Sequence, residues 1–181
     1  MDDEMILLET EEKMEKTIKA YKNELVNIRT GRANPSMLDR VMVDYYGSPT
    51  PLNQISGISV VEGRQLLVKP YDKSSMKDIE RAVYEADLGL TPQNDGAVIR
   101  INIPPLTEER RKELVKQVKK LAEEAKIAIR NQRRKANDLV EKGEDEDAVK
   151  EGKKDIQKLT DKFIQEIDDI TKDKESDLMT V

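Results

Sequence analysis

Apolar residues recur with a helical period at both ends of the chain and with a shorter period in the middle. Over residues 1–28, Leu7, Met14, Tyr21 and Ile28 recur every seven positions, and Ile18 and Leu25 form a second row that Glu11 interrupts. Such a row is the apolar seam of a long amphipathic helix. From Thr107 to about Val140, Leu114, Val118, Leu121, Ala125 and Ala128 follow a 4-3-4-3 spacing, with Val115, Ala122, Ile129 and Ala136 widening the stripe. This predicts a second helix of about 34 residues, roughly 50 Å long at 1.5 Å per residue. Its start is marked by Pro104-Pro105, which end any preceding ladder, and by Thr107 with Glu108 and Glu109, a capping residue followed by first-turn acids. A third row, Val149, Ile156, Phe163 and Ile170 with Leu159 beside it, predicts a last helix. The turn Lys142–Asp147 is short enough to make it antiparallel to the second, and the three stripes bury one another in a three-helix bundle.

The stretch between the first two helices holds most of the Pro and Gly residues. Val41–Tyr46 reads as a strand closed by a turn at Gly47-Ser48-Pro49, and Ile58–Val61 with Gln65–Val68 as a hairpin around Glu62-Gly63-Arg64. Ser75–Asp78 resembles a capping box opening a helix to Leu88, and Val98–Ile103 is a last strand. The expected fold class is therefore α+β. A long three-helix bundle, residues 1–30 and 106–181, carries a small β/α/β domain, residues 31–105, inserted between helices 1 and 2. The chain crosses between them at Thr30-Gly31-Arg32 and at Pro104-Pro105. A residue without Cβ and two with fixed φ suit a bending joint, the plain alternative being two ordinary linkers.

Composition narrows the chemistry. The 181 residues include no Cys, His or Trp, which removes disulfides, thiol nucleophiles, zinc fingers and a Ser-His-Asp triad. No carboxylate pair stands out, the eight glycines form no phosphate-binding loop, and Glu144–Asp147 lacks the Gly and terminal Glu of a calcium loop. The expectation is a protein that is not an enzyme and needs no cofactor or metal. No apolar run approaches the roughly 20 residues that span a bilayer, and the start is acidic where a signal peptide is basic, so a soluble cytoplasmic protein is expected.

The net charge of -5 conceals a segregation: residues 106–142 hold 7 acidic and 12 basic side chains, whereas 143–181 hold 13 and 7. At 100° per residue, Lys112, Lys116, Lys119, Lys126, Arg130 and Arg134 fall opposite Leu114, Leu121 and Ala128, with Arg133 at the stripe's edge. Arginine's planar fork suits phosphate oxygens, and Arg130 and Arg134 lie one turn apart. This face is a candidate polyanion binder, a solvated helix face being the alternative. Adjacent Tyr45 and Tyr46 point to opposite sides of a strand, one to the core and one to solvent.

Several blocks resemble the ribosome recycling factor family: Asn27–Pro35, Asp44–Leu52, Pro104–Lys112, Arg130–Asp138 and Gln157–Asp161, in an order and spacing that extend the resemblance over essentially the whole chain. The resemblance implies an L-shaped, two-domain monomer with a hinged β/α/β domain. It implies action with elongation factor G and GTP after termination, on the 70S ribosome, separating the subunits from messenger and spent tRNA. It further implies contact with large-subunit ribosomal RNA through Arg110, Arg130 and Arg133, with Arg134 beside them and Arg29 and Arg32 as further contacts. The hinge it implies is Thr30, Gly31, Arg32, Pro104 and Pro105. The acidic segment Lys142–Gly152 and the first ten residues lie outside these blocks. A competing reading is a coiled-coil or chaperone-like module that clamps a protein partner, which requires apolar residues left exposed on the closed bundle, Ile127 foremost.

Overall fold

The computed structural model describes residues 2–179; Met1, Thr180 and Val181, which the sequence assigns to the ends of the bundle, lie outside the described residues. Along the chain run α1 (Asp3–Val26), β1 (Met42–Tyr45), β2 (Ser48–Pro51), α2 (Leu52–Ile55), β3 (Ser56–Val61), β4 (Gln65–Pro70), α3 (Met76–Glu85), β5 (Pro92–Asn94), β6 (Ile99–Asn102), α4 (Glu108–Val140) and α5 (Glu146–Met179). Short 3-10 turns stand at Pro35–Leu38 and Lys73–Ser75. The chain divides into two compact units, Met1–Thr30 with Thr107–Val181, and Gly31–Leu106. Leu106, which the sequence reading gives to the bundle, belongs to the small unit, where it packs beside Gly31.

In the bundle unit each helix starts as its sequence dictates. Asp2 accepts the N–H of Met5 at 2.8 Å, Thr107 accepts that of Arg110 at 3.1 Å, and Asp145 accepts that of Asp147 at 3.0 Å. These caps satisfy amides that have no partner within a helix. Because α5 opens at Glu146, Glu146 and Asp147 are its first turn rather than loop, and Gly152 lies well inside the helix. The buried residues are Ile6, Thr10, Met14, Ile18, Tyr21 and Leu25 of α1, and Leu114, Val118, Ala122, Ala125, Ile129, Ala136 and Val140 of α4. From α5 come Gly152, Ile156, Thr160, Phe163, Ile167 and Leu178. Leu7, Leu121, Ala128, Val149 and Ile170 are only half-buried.

The small unit is built on an antiparallel sheet of order β3-β4-β6-β5, with β1 and β2 as a separate hairpin. Leu66, Val68, Ile99 and Ile101 supply the sheet's share of one core with Leu38, Leu52, Ile79 and Val83. The predicted turn at Gly47-Ser48-Pro49 is tighter: Tyr46 and Gly47 carry φ of +50° and +81°, a two-residue loop after which Ser48–Pro51 pairs back on β1. Tyr45 packs on the core and Tyr46 is 80% exposed, as their alternation requires. The capping box at Ser75 does not form. Asp72 takes the capping role one turn earlier, accepting from the backbone N–H of Ser74 at 3.0 Å and from its hydroxyl at 2.7 Å. Helix α3 then ends at Glu85, three residues before the predicted Leu88, and Asp87 takes φ +51°.

Both ends of the inserted chain are fastened to one turn. Ala33 donates to Gly63 O at 2.8 Å and Ile103 to Arg64 O at 2.9 Å. Gly31 has φ +80°, and a Cβ there would lie 3.4 Å from Leu106 Cγ. That backbone conformation is open to glycine and closed to proline.

Candidate nucleic-acid interface

The buried row of α4 steps 114, 118, 122, 125, 129, 136 and 140, a period close to 3.6. The 4-3-4-3 reading of the sequence departs from it, and at 100° per residue the outward direction turns by roughly 60°. Lys116, Lys120 and Arg134 come to the centre of the exposed face, while Lys126 and Arg133 move to its flank. Lys120, absent from the sequence-derived face, would have been found by centring the stripe on Ala122 rather than Leu121.

Partners grade these cations. Lys126 is only 21% exposed and its ammonium lies 2.6 Å from Asp168 of α5, so it closes the α4–α5 seam and leaves the open face. Arg110 pairs with Glu113 at 2.8 Å, Lys112 with Glu108 at 3.6 Å and Arg130 with Glu123 at 3.3 Å, all at the surface. Exposed pairs of this kind contribute about 0–1 kcal/mol each and give way readily to a phosphate. Arg134 is exposed and donates to Asn131 Oδ1 at 3.2 Å. Arg133 is half-buried, and its Nη1 donates to Gln157 Oε1 of α5 at 3.1 Å. Lys116, Lys119, Lys120, Arg134 and Lys135 have no acidic partner among the described residues. Arg29 lies past the end of α1 and Arg32 at the start of the small unit, both exposed, each in its own unit.

This is a rigid, elongated array of donors suited to an extended polyanion: regular helix on one side, closed core on the other. Among the described residues no group of three or more Asp or Glu is placed to hold a metal ion. No described helix is long and apolar enough to cross a membrane.

Comparison with known proteins places the chain among relatives over its whole length. The family model for ribosome recycling factor matches residues 21–179. The chain is 58% identical over 181 aligned residues to the ribosome-recycling factor of Bacillus subtilis strain 168, covering 97% of this chain and 98% of that one. It is similar to the solution structure of a ribosome recycling factor, with a TM-score of 0.80, 42% identity and coverage of 100% and 99%. It also matches the T. thermophilus ribosome recycling factor from models of that factor and E. coli elongation factor G bound to the E. coli post-termination complex, with a TM-score of 0.66, 42% identity and coverage of 99% and 100%.

Proposed function

The chain belongs to the ribosome recycling factor family, and on that premise we propose that it binds the ribosome after termination and, with elongation factor G and GTP, drives the subunits apart for a new round of translation. It acts as a non-enzymatic factor in the cytoplasm, as a monomer. The observation that carries this reading to particular residues is the basic face of α4, where Lys116, Lys119, Lys120, Arg134 and Lys135 have no acidic partner among the described residues, in a chain of net charge -5. Ribosomal RNA is the polyanion that matches it, and Arg110, Arg130, Arg133 and Arg134 are its arginines, with Arg29 and Arg32 extending the contact. Thr30, Gly31, Arg32, Pro104 and Pro105 form the hinge. In support, the chain is tied to the turn at Gly63 and Arg64 from Ala33 inward and up to Ile103, so flexing concentrates in the few residues outside those bonds. The coiled-coil or chaperone-like alternative gains little from α4, where Ile127 and Leu139, 48% and 39% exposed, stand singly.

The test is co-sedimentation with 70S ribosomes at graded salt. Arg130→Ala with Arg134→Ala should weaken binding and lower the log-log salt slope by about 2, close to one for each lost phosphate contact. Lys126→Ala, which removes one positive charge from the α4–α5 seam, should leave the slope unchanged. Equal slopes for the double variant and the unsubstituted chain would remove RNA contact from this face.

A further inference from the structure

Arg110, Arg130 and Arg134 bond to groups of α4 itself and Arg111 shares the buried Nε, but Arg133 is held across the seam by α5. Its Nε is buried and has no hydrogen-bond partner among the described residues, so the inner edge of the guanidinium is turned into the seam. Its Nη1 is held by Gln157 Oε1 at 3.1 Å. The other end of the same amide is engaged too: Gln157 Nε2 donates to Asp161 Oδ1 at 2.9 Å, one turn further along α5. The order in this chain is forced by chemistry. A guanidinium only donates and a carboxylate only accepts, so a neutral group joining them must offer an acceptor to one and a donor to the other, as an amide does. At four other cations of α4 the linkage is direct: Arg110, Lys112, Lys126 and Arg130 each meet a carboxylate. No carboxylate among the described residues lies within ion-pair distance of Arg133.

We propose that Gln157 is a positioning residue for Arg133: it orients the guanidinium at the α4–α5 edge, with its own amide oriented by Asp161, while keeping that carboxylate from neutralising it. A long cation fixed in this way surrenders less rotamer freedom when it meets a phosphate, and retains its full charge for the encounter. The inference rests on the assignment of α4 to ribosomal RNA made above, and adds the α5 residues that prepare one of its arginines. Gln157 and Asp161 are both exposed, so neither supports the bundle core.

The experiment is a double-mutant cycle on 70S affinity with the full chain, read at several salt concentrations and accompanied by thermal melts. Arg133→Ala alone should weaken binding and lower the salt slope by about 1. Gln157→Leu keeps the charge on Arg133 but frees its side chain. It should weaken binding roughly threefold to tenfold, the range for ordering one long side chain, with the slope and melting temperature unchanged. In the Arg133→Ala background the same substitution should have no effect. Gln157→Glu places a carboxylate on the guanidinium and should flatten the slope as Arg133→Ala does. Asp161→Ala, which leaves the amide free to turn over, should reproduce part of the Gln157→Leu loss. If Arg133→Ala binds as the unsubstituted chain does, the assignment of Arg133 to the RNA face fails and the positioning role with it. If Arg133→Ala weakens binding but Gln157→Leu does nothing, or acts equally in both backgrounds, the positioning role alone is overturned.

Discussion

Gly152 occupies an interior position of α5 where propensity favours almost any other residue. An alanine in a helix interior is ordinarily about 1 kcal/mol better than glycine. Here a Cβ would lie 2.8 Å from Val140 Cγ1 of α4 and 3.2 Å from Asp3 Oδ2 of α1. Val140 is itself buried and β-branched, with little freedom to turn aside. Overpacking of that kind costs about 1–3 kcal/mol, so the steric loss outweighs the propensity gain. Gly152→Ala should therefore lower the stability of the bundle by roughly 1 kcal/mol in urea melts. Val140→Ala in the same chain should make the second substitution tolerable, since the two act through one contact. A Gly152→Ala chain more stable than the original would refute the close approach. The same residue-scale logic excludes proline at Gly31, because φ +80° is out of reach of a pyrrolidine ring. Two buried threonines were hidden from a hydrophobic pattern for a related reason. Thr10 and Thr160 pass as core because each hydroxyl donates to a carbonyl four residues back, at 2.7 Å and 2.8 Å.

At the scale of elements, what the sequence disclosed depended on whether a local rule acted alone. Thr107 fixed the start of α4 because a capping side chain and its amide lie within three residues of each other, and the hairpin at Glu62–Arg64 followed from two β-branched and apolar runs and a turn. The bundle rows were legible as helices but drifted in detail: a strict seven-residue step loses about 20° per heptad against a 3.6 period. It therefore named Val149 and Ile170 where the core holds Ile167 and Leu178. Strand β2 escaped because Pro49 and Pro51 argue against a ladder. Since the loop is Tyr46-Gly47, the bonded pairs of this hairpin are Tyr45↔Ser48 and Val43↔Thr50, and both prolines turn their ring nitrogens to the outer edge. At the start of α3 the local cap of Asp72 on Ser74 takes precedence over a capping box at Ser75, and a contact distant in sequence holds it: Tyr46 donates to Asp72 Oδ2 at 2.6 Å, across from the hairpin turn. That bond, foremost, holds the Asp72 carboxyl below its ordinary value of 3.8, and holds the Tyr46 phenol above its ordinary 10.0. The signs follow. A depressed carboxyl contributes stability above its unfolded value that is lost as pH falls through the folded one. A raised phenol contributes stability below its unfolded value that is lost as pH rises through the folded one. Tyr46→Phe should lower the melting temperature of the small unit at neutral pH. The deficit should shrink below the ordinary carboxylate range and again above the ordinary phenol range. A deficit constant from pH 2 to 11 would mean that the hydroxyl does not act through Asp72.

For the whole molecule, charge and architecture divide along the same line. Residues 31–105 carry 9 acidic and 8 basic side chains and so are nearly neutral, whereas the long-range attraction for a polyanion is concentrated on α4. The bundle unit carries supports of its own: the caps Asp2, Thr107 and Asp145, the buried rows of the three helices, and the α4–α5 seam closed by Lys126 and Asp168. The two points where the insertion joins are near neighbours, a Cβ on Gly31 falling 3.5 Å from the backbone N of Leu106, so a short connection suffices to replace it. Lengthening or shortening such a loop changes its closure entropy only slowly. A chain in which residues 33–103 are replaced by a short flexible linker should therefore fold into a purely helical unit with a single cooperative melt. It should also sediment with 70S ribosomes with an undiminished salt slope, because the exposed cations of α4 are all retained. In light scattering with elongation factor G and GTP it should not separate the subunits, if the small unit is the part through which the factor acts. Binding and turnover would then lie on different units of one chain. Should the shortened chain still split ribosomes at the normal rate, the coupling to elongation factor G lies in the bundle. Should it fold but fail to bind, the small unit supplies affinity that its near-neutral charge does not foretell.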